Sequence, residues 1–574
     1  MSEQAEIVVT DDDTTTTSPQ VLRTKSQVYS EVTGAYLSTI DRDNPPPLET
    51  IETELLTETI LAFTMENANK TDKSLKWAIP DKLTNSQIAD IIIHLYPVYS
   101  IACAGGSTDS DYDLLAIYQE HGENQGIYCT EEKVFRKIAR KLNYNLSKKD
   151  FEEVLLALRD KTTRKYRCCN KNLIAMNNGI YDYEKKILLP FSPDFVFLSK
   201  SKVDYNPAAT NIMIHNDDDS TDWDIESWMN ELSDDPEVVE LLWQILGAII
   251  RPNVRWNKSA WFYSDKGNNG KGTLCTLMRN LCGEGSYASI QLSSFSKDFA
   301  LEPLTHSTAI IVDENDVGTY IDKAANLKAI ITNDVISINR KYKNPIAYQF
   351  YGFMVQCLNE FPRIKDKSDS FYRRQIFIPF NKCFTGVERR YIKDDYLNRT
   401  EVLEYVAYKV LHEIPVYYEL KEPASCKQIL DEYKEFNDPV RQFFEEFSSV
   451  FTWDLLPFNF LYELYKSWFK VNSPSGAIQG RNTFIQDILN VTKDDPDWYC
   501  SDKSQVIRSA GKMDNPEPLI ATYHLDSWKN PNYNGYDVNQ MCRPMLQQFY
   551  RGLQRTLPNT QVSKPDNSQP FTDD

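Results

Sequence analysis

Residues 263–274, YSDKGNNGKGTL, contain a glycine-rich stretch whose spacing is close to that of a phosphate-binding loop. The full pattern, G-x-x-x-x-G-K-[ST], follows a strand, opens a helix and cradles phosphates with main-chain N–H groups. Gly270 and Lys271 fit this pattern. Asp265 takes the place of the first glycine and Gly272 that of the Ser/Thr, and the nearest hydroxyl is on Thr273.

The sequence on either side of this stretch favours a nucleotide loop over a coincidental glycine-rich turn. The preceding AWFY is strand-like, and the following TLCTLMRNL has helical periodicity. A strand, a glycine-rich turn and a helix are the context that the motif requires. The predicted ATP-binding residues are therefore Gly267, Asn268, Asn269, Gly270, Lys271, Gly272 and Thr273.

Polar residues also end two later strand-like runs. TAIIVDEND ends in Asp313 and Glu314, and YGFMVQCL ends at Asn359. A nucleotide hydrolase needs one carboxylate to hold Mg²⁺ and another to polarise the attacking water. We expect Asp313 and Thr273 to hold Mg²⁺, Glu314 to act on water, and Asn359 to contact the γ-phosphate or the water.

Basic residues follow in two places. Segment 321–382 has eleven Lys or Arg and five Asp or Glu, although the chain carries a net charge of −19. Its stretch TNDVISINRKYKNPIAYQF predicts a hairpin with a basic tip that contacts DNA phosphates and stacks on a sugar or base. The tip residues are Arg340, Lys341, Tyr342 and Lys343. Arg373 and Arg374 precede a further strand, where an arginine finger and ordinary surface charge are both open.

The surrounding elements place these residues in an α/β core. Residues 255–382 alternate strand-like and helix-like segments, whereas the pattern from 50 to 165 is helical. Asn178-Gly179 suits a hairpin turn. After residue 437, FLYELYKSWFK and RNTFIQDILN are two short amphipathic helices. Contact of this region with the DNA major groove, and a role in protein contacts only, both stay open. The DNA-contact candidates are Lys466, Arg481 and Asn482.

Composition narrows the class of protein. A net charge of −19 excludes a diffuse attraction to nucleic acid, so DNA contact requires local basic patches. The eleven cysteines and six histidines lack the spacing of a zinc site. The acidic N-terminus is unlike a signal peptide, and LLWQILGAII covers about half of a membrane span. We expect no membrane partner and a location in the cytoplasm.

The motifs GNNGKGT, IIVDEN, ISINRKYKNP, QCLNEFPR and SFYRRQIFIPF, in this order, resemble those of superfamily 3 DNA helicases. These are AAA+-type ring motors of small viruses, phages and plasmids. The chain looks most like the phage and plasmid primase-helicase family, which is related to poxvirus NTPase-primases. The resemblance implies ATP and Mg²⁺ as cofactors, a hexamer, and travel 3′ to 5′ along DNA. It also implies that Arg374, or else Arg373, acts on the ATP of a neighbouring subunit.

The resemblance further implies an α/β fold with a helical N-terminal domain, a central AAA+-like phosphate-loop ATPase core and a winged-helix-like C-terminal domain. The expected parts are a disordered acidic tail (1–50), a helical domain before the motor (51–250), the ATPase core (251–385), a helical connector (386–436), the winged-helix-like domain (437–560) and a flexible tail (561–574).

The resemblance makes the expected function that of an ATP-dependent replicative DNA helicase of a phage or mobile element, acting in the cytoplasm of a bacterial host cell. Its partners would be single-stranded and forked DNA, origin duplex DNA if it is also an initiator, and a separate primase. A primase-helicase component and a decayed DNA-binding scaffold remain alternatives, the latter supported by Asp265. A remodeller of protein partners fits the basic hairpin poorly. Primase activity of its own has only Asp111-Tyr112-Asp113 in a polar loop as support.

Overall fold

A computed structural model describes residues 23–104, 113–341, 343–472, 478–493 and 495–556. The chain forms two compact units. The first takes the described residues up to Asn315 together with Lys323–Asn359 and Phe380–Glu422. The second takes Asp316–Asp322, Glu360–Pro379 and the described residues from Pro423 onward.

The N-terminal part of the first unit mixes helices with a four-stranded sheet of order β3-β2-β1-β4. The expectation of a helical region from 50 to 165, and of a helical 51–250 domain, was therefore wrong in part. Runs such as VYSIA and LLAIY are only five residues long, too short to reveal their period. The elements are α1 Lys25–Leu37, α2 Leu48–Ala68, α3 Asn85–Leu95, β1 Val98–Ala102, β2 Leu114–Tyr118, β3 Tyr128–Cys129, α4 Glu132–Leu142, α5 Lys148–Lys161 and β4 Arg164–Tyr166.

Helix α1 lies within the residues that we assigned to a disordered tail. A capping box between Thr24 and Gln27 starts it, and it buries Val28, Tyr36 and Leu37. Tyr36 and Leu37 belong to the same apolar core as the buried residues of α2 to α5. The predicted disordered tail therefore does not extend to residue 50. Residues 1–22 lie outside the described part of the chain.

Small sheets and two helices lead to the phosphate loop. Met176 pairs with Gly179, so the hairpin that we predicted turns at Asn177-Asn178, one residue earlier than expected. Helix α7 is buried along most of its length and begins at a proline after the capping residue Asp235. The elements are β5 Leu173–Met176, β6 Gly179–Asp182, β7 Ile187–Leu189, β8 Ile214–Asn216, β9 Thr221–Trp223, α6 Ile225–Glu231 and α7 Pro236–Ile250.

Strands and helices follow one another from residue 259 onward, which confirms the alternation predicted from 255. The elements up to β16 are β10 Ser259–Tyr263, α8 Lys271–Cys282, β11 Tyr287–Ala288, β12 Ala309–Val312, β13 Tyr320–Ile321, α9 Ala325–Ile331, β14 Val335–Arg340, β15 Lys343–Gln349 and β16 Phe353–Leu358. The core of the first unit is a parallel arrangement of strands in the order β11-β12-β16-β10. Every residue of β12 and β16 is buried, as expected for parallel strands covered on both faces.

Strands β14 and β15 form the predicted hairpin, with Val335 opposite Gln349 and Arg340 opposite Lys343. After β16 the chain contributes short elements to both units, and the expected connector is helical. These elements are β17 Arg363–Ile364, α10 Asp369–Tyr372, β18 Gln375–Pro379, α11 Arg390–Asp394, α12 Thr400–Tyr408, the π-helical turn Lys409–Glu413 and α13 Ala424–Asn437.

The C-terminal part of the second unit packs helices and small sheets around an aromatic core that includes Phe443, Trp453, Tyr465 and Trp498. One sheet has the order β19-β23-β20. A winged-helix-like arrangement stays a prediction. The elements are α14 Pro439–Phe447, β19 Leu455–Pro457, α15 Phe458–Asn472, α16 Arg481–Val491, β20 Trp498–Tyr499, β21 Ile507–Arg508, α17 Leu519–Thr522, α18 Val538–Met541, β22 Phe549–Tyr550 and β23 Gly552–Arg555. Among all described helices, none has the length and apolar character needed to cross a membrane.

Candidate nucleotide-hydrolysis site

The glycine-rich loop connects β10 to the first turn of α8, as the motif requires. Gly270 has a φ of 87° and precedes the helix directly, and Asn268 also has a positive φ of 51°. A side chain at Gly270 would be strained by this backbone and would meet Leu232 at 2.7 Å. Gly267 is exposed and has open space around it. The loop therefore leaves its main chain accessible at a helix N-terminus, where phosphates bind.

Asn269 and Lys271 hold the loop to the sheet. The side chain of Asn269 donates to the main-chain oxygen of Lys266 and accepts from the Lys271 N–H at 3.3 Å. Lys271 Nζ donates to Leu358 O at 3.0 Å and to Asn359 Oδ1 at 2.8 Å. Burial lowers the pKa of Lys271. Two of the predicted residues, the loop lysine and the sensor asparagine, are thus in direct contact.

Asp313 lies at the end of β12, close to the first turn of α8. A Cβ at Gly272 would stand 2.9 Å from Asp313 Oδ1, so the missing Ser/Thr has a structural reason. Asp313 also forms an ion pair of 3.7 Å with Arg279, on the same helix. Arg279 was not among the predicted residues, because only the helix geometry brings it to Asp313. The carboxylate is held between the loop and a cation.

A buried amide network fixes the end of β12. Asn315 Nδ2 donates to Gln356 Oε1 at 3.0 Å and to Cys357 O at 3.1 Å, and Asn315 Oδ1 accepts from Leu292 N at 2.9 Å. Gln356 in turn donates to Ile290 O at 3.1 Å. Sequence reasoning missed both amides, although a glutamine inside the apolar run FMVQCL was a signal. The network holds Asp313 and Glu314 at the carboxyl edge of the strands.

Thr273 lines a cavity of about 390 Å³ on one side of the loop. Asn268 and Gly270 also line it, together with apolar and charged groups of the segments 225–231 and 384–394. Phe384 N donates to Asn268 O at 2.7 Å, which attaches the later segment to the loop. The cavity combines phosphate-loop atoms, apolar walls and charged groups of both signs, and apolar walls with a few polar groups are typical of small-ligand sites. Its other lining residues are Trp228, Glu231, Phe384, Val387, Glu388, Arg389, Arg390, Ile392, Lys393 and Asp394.

Asp313 and Glu314 line a second cavity, of about 420 Å³, which also includes Arg279. Thr273 is not among its lining residues. The pairing of Thr273 with Asp313 around one Mg²⁺ therefore stays a prediction, and so does the action of Glu314 on water. The two carboxylates themselves share one cavity, as their succession in the sequence indicated.

Two buried thiols lie close to Asp313. Cys275 Sγ is 3.4 Å from Cys357 Sγ, and the ligand atoms of Cys275, Cys357 and Asp313 all lie within 4.8 Å of one another. Burial raises the pKa of Cys357, which disfavours the thiolate that binds metals. Oxygen ligands suit Mg²⁺, so Asp313 is the member of this group that fits it.

The basic hairpin tip belongs to the same unit as the nucleotide loop. The guanidinium of Arg340 donates to Asn344 O at 3.0 Å across the turn, and Lys343 forms an ion pair of 2.9 Å with Glu132. Lys341 is exposed, and Tyr342 lies outside the described residues. The predicted hairpin and its charge are therefore present, whereas contact with DNA stays a prediction.

Five other predicted residues lie in the second unit. Arg373 is exposed at the end of α10, and the half-buried Arg374 donates to Ser370 Oγ at 3.0 Å. In the C-terminal part, Lys466 lies over the Tyr462 ring at 5.2 Å. The remaining two residues, Arg481 and Asn482, are exposed in the first turn of α16. The roles of all five residues in hydrolysis or DNA contact stay predictions.

The primase-like acids do not form a recognisable site in the described residues. Asp111 and Tyr112 lie outside them. Asp113 is 2% exposed and accepts from Arg164 Nη2 at 2.9 Å in a two-pronged ion pair. This ion pair gives Asp113 a structural role.

Three segments match known family models. Residues 65–234 match a model described as D5 N terminal like, residues 435–530 match one described as poxvirus D5 protein-like, and residues 262–374 match a family of unknown function. No curated protein matches the chain.

Solved structures of the NrS-1 C-terminal region are also similar to this chain. An A-form apo structure is 14% identical, with a TM-score of 0.40, and covers 75% of this chain and 98% of its own. Two further structures of the NrS-1 C-terminal region, covering residues 305–718 of NrS-1, are 15% identical to this chain, with the same TM-score and coverage.

The two D5 matches lie on either side of the phosphate loop. They support a relationship of these two segments to D5-like primase-helicases.

Proposed function

We propose that this protein is an ATP-hydrolysing DNA helicase of the superfamily 3 type that works in the replication of a phage or other mobile element. The observation that carries the proposal is the contact of Lys271 Nζ with Asn359 Oδ1, next to the Gly272–Asp313 approach. Loop lysine, acidic strand end and sensor amide meet at one edge of a parallel sheet. This is the set of groups that phosphoryl transfer needs.

In this proposal, main-chain N–H groups from Gly267 to Thr273 hold the phosphates, and Lys271 exchanges its protein oxygens for phosphate oxygens. Asp313 would hold Mg²⁺, which offsets phosphate charge when bound. Glu314 accepts a proton from the attacking water, and Asn359 orients the γ-phosphate or that water. The base fits the cavity that Trp228 and Phe384 line.

Hydrolysis would drive the β14–β15 hairpin along one DNA strand, in the 3′ to 5′ direction, within a hexamer. The hairpin suits this task because its tip is basic in an otherwise acidic chain. Single-stranded and forked DNA are the proposed substrates. Binding of origin duplex DNA through Arg481 and Asn482, and cooperation with a separate primase, are further parts of the proposal.

The test is ATP hydrolysis by the wild type and by Lys271→Ala, each with and without single-stranded DNA. We expect DNA to stimulate the wild type and the substitution to lower turnover at least about 100-fold, as losses of a transition-state donor do. Stoichiometric DNA binding without turnover in the wild type would favour a decayed scaffold. Turnover that DNA never stimulates would remove the helicase proposal.

A further inference from the structure

Helix α4 presents a basic face that the proposed hydrolysis mechanism does not use. Its eleven residues, EKVFRKIARKL, bury Phe135, Ala139 and Leu142 on one side. The opposite side carries basic residues that are all exposed. In a chain of net charge −19, such a concentration of positive charge indicates a local electrostatic task. These residues are Lys133, Arg136, Lys137, Arg140 and Lys141.

The tip of the β14–β15 hairpin lies against this face. Together they border a cavity of about 640 Å³ whose charged lining is five basic and two acidic residues. The two acidic residues are Glu132 and Glu152. The positive lining therefore comes from three elements: α4, the start of α5, and the hairpin, which lies about 200 residues later in the sequence. The five basic residues are Arg136, Arg140, Lys148, Lys341 and Lys343.

The acids of this cavity are already paired. Glu132 accepts from Lys343 at 2.9 Å, and Glu152 lies 3.7 Å from Lys148. Within the described parts of the chain, Arg136 and Arg140 form no ion pair, and Arg136 stacks over the Phe151 ring at 5.1 Å. Two guanidinium groups thus remain available for an anionic partner.

An exposed aromatic residue lies between the basic helix α4 and the basic start of α5 in the sequence. Tyr144, in the loop between α4 and α5, has 91% of its surface exposed. Lys148 and Lys149 follow it at the start of α5. Basic side chains that follow a backbone, with an aromatic ring on which a base stacks, are typical of sites for single-stranded nucleic acid.

We propose that the α4 face and the hairpin tip form one binding site for the phosphate backbone of single-stranded DNA, with Tyr144 stacking on a base. The site is independent of the nucleotide loop, but the choice of DNA as the polyanion rests on the proposed function. The proposed site gives the N-terminal part of the chain a function. It also provides a defined path for a DNA strand that leaves the hairpin.

The test measures the affinity of the full-length protein for a fluorescein-labelled oligothymidine by anisotropy over a range of salt concentrations. Arg136→Ala combined with Arg140→Ala should weaken binding about tenfold or more at moderate salt. The slope of log K against log salt should fall by about 1.4, or about 0.7 for each lost phosphate contact. The control combines Lys73→Ala and Lys76→Ala, two exposed lysines that do not line this cavity, and should bind like the wild type.

Tyr144→Ala keeps the test decisive if the double variant fails to fold, because this exposed side chain supports no core. It should weaken binding about fivefold, the loss of one stacked base. Wild-type affinity in both the arginine and the tyrosine variants, or loss of binding in the lysine control alone, would overturn the site. Failure of the proposed function is distinguishable, since it would appear as unchanged hydrolysis in Lys271→Ala.

Discussion

Gly272 is one of the two residues at which the phosphate loop departs from the usual pattern, and a side chain at this position would meet Asp313. The residue is the second of helix α8, where alanine is otherwise favoured over glycine by about 1 kcal/mol. We expect Gly272→Ala to displace the Asp313 carboxylate, because the new Cβ would lie 2.9 Å from Oδ1. ATP turnover should fall about tenfold or more, while the melting temperature stays at or above that of the wild type.

Gly34→Ala is the control for this prediction. Gly34 is an exposed residue of helix α1, outside the phosphate loop, and a Cβ there meets nothing within 4 Å. Its turnover should stay within about twofold of the wild type, as for an uncrowded surface position. Equal losses in the two variants would show that any change of a helical glycine to alanine lowers hydrolysis, whatever the position of Asp313.

Asn359 contacts Lys271, and kinetic measurements can distinguish a role of Asn359 in the reaction itself from a role in positioning Lys271. Asn359→Ala removes the oxygen that accepts from Lys271 Nζ at 2.8 Å. If Asn359 acts on the γ-phosphate or the water during the reaction, kcat should fall about 100-fold with little change in KM. A raised KM with an unchanged kcat would contradict this role and leave Asn359 as a residue that only positions Lys271.

The sequence predicted the residues that follow strands and missed those that face inward. Lys271 and Asn359 could be placed together because the carboxyl ends of parallel strands share one edge of a sheet. Arg279 and Gln356 could not, because their contacts depend on helix rotation and on the strand register. A buried amide such as Asn315 is stable only when its partners are in place, and single-sequence patterns do not show partners.

At the scale of elements, the β14–β15 hairpin is the part most directly linked to DNA in the proposal. Lys341→Ala combined with Lys343→Ala should reduce the ratio of hydrolysis with and without single-stranded DNA to about one, since the phosphate contacts are lost. Duplex unwinding measured on a forked substrate should fall in parallel. Lys365→Ala, which removes an exposed lysine paired with Asp322 in the second unit, is the control. DNA stimulation that persists in the hairpin variant would contradict the assignment.

Helices and strands were predicted well where the periodic pattern extends over many residues, and poorly where the segment is short. Helices α4 and α5 and the hairpin alternation were readable because eleven or more residues carried each pattern. Strands β1 and β2 were not predicted because a mainly apolar run of five residues fits a buried helix or a buried strand equally well. Helix α1 escaped because its apolar residues are few, and their burial depends on the packing of α2 and α3.

At the scale of the whole molecule, the proposed ring requires that active sites be completed between subunits. Arg374 is the preferred finger, and it is oriented by a hydrogen bond to Ser370. Lys271→Ala and Arg374→Ala should each lose most of their turnover when pure, because both groups act on transition-state charge. If the arginine acts in trans, Lys271→Ala damages the nucleotide site of its own subunit, whereas Arg374→Ala damages the site of the neighbouring subunit.

Mixing the two variants therefore tests both the trans action and the assembly. In an equal mixture, about one interface in four joins an intact Lys271 to an intact Arg374 of the neighbouring subunit, so turnover should recover to about that fraction of the wild type. Subunits must exchange for this recovery, so they are mixed at low concentration before assembly with nucleotide, and mass photometry records the ring size. A mixture that stays inactive although rings form would show that Arg374 acts within its own subunit or not at all.

The same experiment with Arg373→Ala then decides which of the two arginines reaches the neighbouring subunit. Only the arginine that acts as the finger restores turnover when the other variant supplies it.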